Sequence, residues 1–178
     1  MRILLVFSLF FVFLSNINAQ ITYSHSAGAS IFSSKNVISG GINYSPRINI
    51  IKLDENLTFS LGSHIAIGMP RKVNGVKYLD YDLPFVAELN FGQGAKPGAG
   101  PKLGGFIGAG FGINKMGSKD SISIFNNYND ASGIVINGGL RLLINDMPCG
   151  FRISYLINGK KQYNDVFIFG IFFTLGDF

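Results

Sequence analysis

Between residue 21 and the end of the chain, large apolar side chains return at every second position. The clearest stretch runs from Tyr78 to Gly92. Its odd positions carry Leu79, Tyr81, Leu83, Phe85, Ala87, Leu89 and Phe91; its even positions carry Tyr78, Asp80, Asp82, Pro84, Val86, Glu88 and Asn90. Strand side chains alternate faces, so this stretch has one apolar and one mostly polar face, whereas a helix would mix the two sets around its circumference. The same patterning recurs at 21–32, 37–50, 57–69, 105–115, 133–145, 150–158 and 165–177, which with 78–92 makes eight predicted strands. Turn-forming residues separate them. No domain boundary interrupts the series.

Alternation alone fits two kinds of barrel. A soluble ligand-binding barrel turns its apolar face inward, and a membrane barrel turns it outward to lipid. The polar face decides. It consists chiefly of Gly, Ser and Asn, where a water-facing surface would carry Lys, Glu and Thr. Charged residues are 14% of the chain, against roughly 25% in ordinary soluble domains. Hydrophobic residues are 47%, with 23 Gly and 17 Phe, a balance that also excludes disorder. The expected fold is therefore all-β: an eight-stranded antiparallel up-and-down transmembrane β-barrel. An even strand count puts both ends of the barrel on one side of the membrane, the periplasmic one. Segments 33–36, 70–77, 116–132 and 159–164 then form outer loops. Segments 51–56, 93–103 and 145–148 form inner turns, of which 93–103 is long for its side.

The first residues read as an address. Arg2 precedes an apolar run from Ile3 to Leu14, then Ser15-Asn16-Ile17-Asn18-Ala19. This is a secretory signal peptide pattern with cleavage after Ala19, leaving a barrel domain at 20–178. The run is short of the roughly 20 residues a spanning helix needs. The single cysteine, Cys149, precludes an internal disulfide.

The signal peptide, the eight amphipathic strands and the terminal FIFGIFFTLGDF, ending in Phe178, together resemble the small eight-stranded outer-membrane barrels, the OmpA/OmpX-like group. The resemblance covers 20–178. It implies a Gram-negative cell envelope location in the outer membrane, and contact with the barrel-assembly machinery through the terminal aromatic residue. The apolar stripe of the last strand lies on odd positions and Phe178 is even, so either a bulge follows Leu175 or Phe178 lies past the rim.

An eight-stranded barrel is just wide enough for its own side chains, so a filled lumen is expected. Glu88, Arg141 and Arg152 share the polar-face parity at similar depths, and a buried charge needs partners; they are read as one lumen charge cluster in the periplasmic half. His25 and His64, the only histidines, lack companions for a metal site. His25 lies on the opposite face from Ser24 and Ser26, which does not suit nucleophilic catalysis. The glycines from Gly92 to Gly100 lack the following Lys-Ser/Thr of a phosphate loop. No catalytic residue, metal or cofactor is expected.

Fifteen Lys and Arg against ten Asp and Glu are scattered, without the basic patch that nucleic acid requires. Arg71, Lys72 and Lys77 in an outer loop are candidates for contact with lipopolysaccharide phosphates. The 116–132 loop, with Ile122, Ile124, Phe125 and Tyr128, is the candidate site for an extracellular partner. The sequence thus reads as a non-enzymatic integral outer-membrane barrel with an envelope-structural or surface-interaction role. Two alternatives stand beside it: a narrow channel or transporter for small or hydrophobic solutes, and a secreted soluble ligand-binding barrel.

Overall fold

The computed structural model describes residues 21–35, 37–68, 71–73, 76–95, 101–117, 128–160 and 162–177. The signal peptide expectation for 1–19 and the terminal Phe178 lie outside the described residues. The strands are β1 (Thr22–Ser34), β2 (Val37–Asp54), β3 (Leu57–Ser63), β4 (Ile65–Gly68), β5 (Arg71–Val73), β6 (Val76–Tyr78), β7 (Tyr81–Gly92), β8 (Leu103–Gly117), β9 (Tyr128–Ile144), β10 (Met147–Asn158) and β11 (Val166–Asp177). Every pairing is antiparallel, and β1 pairs with β2 on one side and β11 on the other. The sheet therefore closes on itself, which leaves no open edge.

β3 and β4 share one position in the ring, both lying between β2 and β7. The ring thus has eight staves, as the patterning predicts. The interruption at His64 has a local cause. The register places Pro46 of β2 opposite Ser63, and Pro84 of β7 opposite His64. Proline has no N–H to give to the ladder, so both neighbours withhold a donor at this point. The Ser63 hydroxyl instead bonds the carbonyl of Pro84.

Several boundaries differ from the sequence expectation. The 70–77 segment contains the β5–β6 hairpin rather than a plain loop. β2 runs to Asp54, leaving only Glu55 and Asn56 as its turn. Met147 and Pro148 belong to β10, because Asn145 (φ 48°) and Asp146 (φ 63°) complete a two-residue turn. Positive φ at both central positions matches the twist of the flanking strands, and Asn and Asp tolerate it best after Gly. β8 and β9 extend into the expected 116–132 loop, which shortens to 118–127, outside the described residues. On β11, Leu175 is an extra residue: Ser26 pairs with Thr174 but His25 pairs with Gly176. A bulge thus falls where the parity of Phe178 asks for one.

The faces are set as lipid requires. Phe85, Ile107, Phe111, Ile134 and Ile136 point outward, more than 45% exposed, while Ser45, Asn90 and Asn137 on the other face are at most 5% exposed. The lumen is not polar throughout. Phe32, Val37, Ala66, Val86, Met116, Ala131, Val135, Leu156, Val166 and Ile168 form a buried apolar cluster inside it. This was not evident in the sequence, because the inward face was read as small and polar. One end of the ring, here the turn end, carries both strand termini Thr22 and Asp177 and the turns at 55–56 and 145–146. The other, the loop end, carries the β5–β6 hairpin.

Candidate functional site

Below the apolar cluster the lumen holds a buried polar layer. Glu88 projects inward from β7 and is 1% exposed. Its Oε1 accepts a bond from Asn137 Nδ2 of β9 at 2.5 Å and lies 2.7 Å from His64 Nε2. His64 is itself 7% exposed. Gly108 of β8 makes room for this pair: a Cβ there would sit 2.7 Å from Asn137 Oδ1 and 2.8 Å from Glu88 Cγ.

Beside this group sits a second, centred on Asn90, two residues further along β7. The Asn90 Oδ1 accepts one bond from Arg47 Nη1 and one from Arg141 Nη1, both at 2.7 Å. Its amide nitrogen donates to Ser60 Oγ at 2.7 Å. Arg141 also stacks on Phe106, its Cζ 4.4 Å from the ring centroid, a favourable cation–π arrangement. Arg152 of β10 is 1% exposed and donates from Nη1 to Ser45 Oγ at 3.2 Å.

The three residues singled out in the sequence, Glu88, Arg141 and Arg152, thus all lie buried in the lumen. They are not bonded to one another in the way expected. Glu88 reaches His64 and Asn137, Arg141 reaches Asn90, and Arg152 reaches Ser45. Arg47 and Asn90 were missed as members. Both have inward parity, but parity alone does not say which residues meet across the lumen.

The long inner connection now has a physical account. Gly92 (φ 63°) and Gly94 (φ 84°) take backbone conformations open chiefly to glycine and turn the chain beneath the ring. Gln93 and Ala95 are there 5% and 4% exposed. Arg47 Nη2 donates to the Gly94 carbonyl at 2.9 Å and to Ser24 Oγ at 3.1 Å. Thr58 of β3 bonds the Ala95 carbonyl. The start of this connection is therefore tied to lumen side chains and covers the turn end.

Between this cover and the apolar cluster remains a cavity of about 20 Å³, lined by Arg47, Arg141, Arg152, His64, Ser24 and Ser45 together with Phe106 and Phe172. Nearer the loop end, Asp80 is 1% exposed and accepts from Ser39 Oγ at 2.6 Å and from the Gly117 N–H at 2.8 Å. Asp82, 2% exposed, accepts from Asn114 Nδ2 at 3.1 Å. The interior is thus acidic toward the loops and dominated by arginine toward the turns.

His25 lies on the outer surface, its Nδ1 3.3 Å from the Tyr44 hydroxyl, while Ser24 and Ser26 face inward and are buried. The two faces of β1 keep this histidine from either serine. Among the described residues no three His, Cys, Asp or Glu side chains gather as a metal would need. Arg71, Lys72 and Lys77 lie on the β5–β6 hairpin at the loop end, with Lys72 opposite Lys77. Ile122, Ile124 and Phe125 lie outside the described residues, and Tyr128 opens β9.

No family model and no curated protein sequence matches the chain. Its fold is similar to that of Ail, the attachment invasion locus protein of Yersinia pestis, solved in complex with the heparin analogue sucrose octasulfate. The two share 13% identity at a TM-score of 0.53, over 89% of this chain and 99% of that one. A second structure of Ail gives the same score and identity over 88% and 98%. The N-terminal β-barrel domain of Pseudomonas aeruginosa OprF aligns at a TM-score of 0.47 and 15% identity, over 85% and 97%. The likeness to Ail is one of architecture. The fold is that of the small eight-stranded outer-membrane barrels, as the OmpA/OmpX-like resemblance implies.

Proposed function

We propose that the chain is an integral β-barrel of an outer membrane, with a sealed lumen and a structural or surface-interaction role rather than an enzymatic one. One observation carries this reading: apolar side chains cover the outside and the polar ones are buried within. Among the described residues, 30 large apolar or aromatic side chains are exposed on the exterior or at the rims. Full burial of such a side chain gains roughly 1.5–3 kcal/mol, and each of these still exposes 39–70% of its surface, so over the whole set an aqueous surround is untenable and a bilayer satisfies them all.

The secreted ligand-binding alternative needs these same residues around a central ligand, and they face the other way. The channel alternative needs an open lumen. The apolar cluster of Phe32, Met116, Leu156 and Ile168 and the cover at Gln93–Ala95 both argue for a sealed one.

At the loop end, Arg71, Lys72 and Lys77 supply cations suited to the phosphates of lipopolysaccharide, through charge-assisted hydrogen bonds. Ail, a protein of like fold, was solved with a polyanionic sugar, which suits the same chemistry. The barrel-assembly machinery is the proposed partner during biogenesis, and the connection between β8 and β9 the proposed surface for an extracellular one. The test is physical. Purified protein in detergent is expected to give a strand-rich spectrum, to migrate differently on a gel when unboiled and boiled, and to give no steps of conductance in a planar bilayer. Protein that dissolves freely without detergent would refute the membrane reading, and regular conductance steps would refute the sealed lumen.

A further inference from the structure

We propose that a groove in the outer wall, centred on Gly138, seats one acyl chain of a phospholipid from the turn-end leaflet, with Lys102 and Asp146 at the rim receiving its phosphate and ammonium groups. This rests on the reading of the wall as lipid-facing and adds a particular lipid to it. Gly138 has outward parity on β9, between Ile136 and Leu140. The register puts Ile107 of β8 on one side of it and Ile153 of β10 on the other. All four are more than 40% exposed. A single absent side chain thus leaves a recess walled on four sides. Beyond its chain neighbours, a Cβ at Gly138 would meet the Phe106 carbonyl oxygen at 3.3 Å and otherwise open space. Towards the turn end Phe91 and Phe151 continue the walls, and the groove, open to the surroundings, measures about 670 Å³.

Depth identifies the occupant. On β8 the outward positions from Leu103 to Ile113 span ten residue steps. At roughly 3.4 Å per residue and a tilt of about 40°, they rise about 26 Å, which matches the apolar band of about 25 Å. Lys102 and Lys115 then bracket the band. Gly138, level with Ile107, lies close to its midplane. The groove from Gly138 to the turn end therefore follows one leaflet's half of the band, the path of an acyl chain anchored at that rim. A methylene needs no more room than a water molecule's share of about 30 Å³, so a 16-carbon chain of about 480 Å³ by that measure fits. A void left there would forfeit dispersion contacts. A second copy fills it poorly, because two convex barrel walls touch along a line.

The rim supplies charge of both signs. Lys102 is exposed, and its carbonyl accepts from the Leu143 N–H at 2.8 Å, which holds it beside β9 at the foot of the groove. Asp146 is exposed three residues further on, in the β9–β10 turn. The Lys102 ammonium suits a phosphate through a charge-assisted hydrogen bond. Asp146 suits an ammonium group and repels a headgroup of negative charge alone. The occupant is therefore a zwitterionic aminophospholipid.

The experiment offers the full barrel in micelles equal amounts of phosphatidylethanolamine and phosphatidylglycerol with the same chains. Native mass spectrometry is expected to show one retained phospholipid, with phosphatidylethanolamine favoured. Phosphatidylethanolamine carrying a nitroxide at the far end of one chain is expected to broaden the amide resonances of Gly138 and Ile107 before that of Ile42 on the far wall. Gly138→Leu, which fills the recess, is expected to lose the retained lipid with heat-dependent gel migration intact. Lys102→Gln, outside the strands, is expected to give the same loss and serves if Gly138→Leu does not fold. Asp146→Asn is expected to abolish the preference between the two headgroups. Retention unchanged in Gly138→Leu or Lys102→Gln, a preference unchanged in Asp146→Asn, or a dimer that Gly138→Leu dissociates would overturn the proposal. A barrel that migrates heat-dependently yet retains no lipid would overturn this proposal alone, whereas a chain that dissolves without detergent would overturn the membrane reading beneath it.

Discussion

Replacing Glu88 by Gln tests whether the buried network holds the ring together. The substitution keeps the shape of the side chain and removes its charge. Glu88 makes its contacts to His64 Nε2 at 2.7 Å and Asn137 Nδ2 at 2.5 Å inside the lumen, at 1% exposure. Hydrogen bonds to a charged group contribute about 1.5–3 kcal/mol each and neutral ones about 0.5–1.5, so neutralisation costs about 1 kcal/mol per bond. It also leaves the guanidinium groups of Arg47, Arg141 and Arg152 with less compensating charge, and breaking a buried charge pairing costs up to about 3–5 kcal/mol. Together these give a loss of about 3 kcal/mol, or about 6–12 °C in the midpoint for a chain of this length. The assay is a heat scan of the protein in micelles, with unboiled aliquots separated on a gel into folded and unfolded bands. Combining Glu88→Gln with His64→Gln is expected to show coupling of about 0.5–3 kcal/mol, as contacting residues do. An unmoved midpoint would refute the network as a stabilising element, and strictly additive losses would refute the direct bond.

Other outcomes follow from the same geometry. Phe85→Arg, near the middle of β7 and 62% exposed, is expected to weaken folding into vesicles by about 2–4 kcal/mol; equal folding efficiency would argue that lipid does not touch this face. Arg47→Met removes the donor to the Gly94 carbonyl and is expected to speed hydrogen exchange at Gly94 and Ala95; unchanged exchange would mean the cover is held by other contacts. Neutralising Arg71, Lys72 and Lys77 to Gln is expected to reduce retention on immobilised lipopolysaccharide while leaving heat-dependent gel migration intact; undiminished retention would remove that hairpin from the binding surface.

What the sequence disclosed was the face of each residue, because period two is a local property. Ile134 and Ile136 face outward and Asn137 inward, as alternation dictates. Parity also placed Glu88, Arg141 and Arg152 inside. It could not tell which of them touch, since contacts across a lumen depend on strand tilt and on the register of strands far apart in the chain. Nothing near Asn90 announces that Arg47, 43 residues earlier, and Arg141, 51 residues later, both donate to its one oxygen. The sequence reads His64 as a hydrogen-bonded lumen histidine without naming its partner, and that partner, Glu88, lies one stave away. The apolar cluster escaped for another reason. Phe32, Met116 and Leu156 occupy inward positions at the loop end, where the small residues of neighbouring strands leave space that only large side chains fill. The cover at Gln93–Ala95 was visible only as an unexplained length.

β1 is hydrogen-bonded to β2 and to β11 at once. Its second partner is therefore made only after nearly all the intervening chain has been synthesised. Until that late arrival the nascent ribbon has two raw borders and a greasy side with nothing to rest against, the combination that invites neighbouring copies to stick. In the proposed outer-membrane setting, such a polypeptide reaches the bilayer with those borders and that side still uncovered.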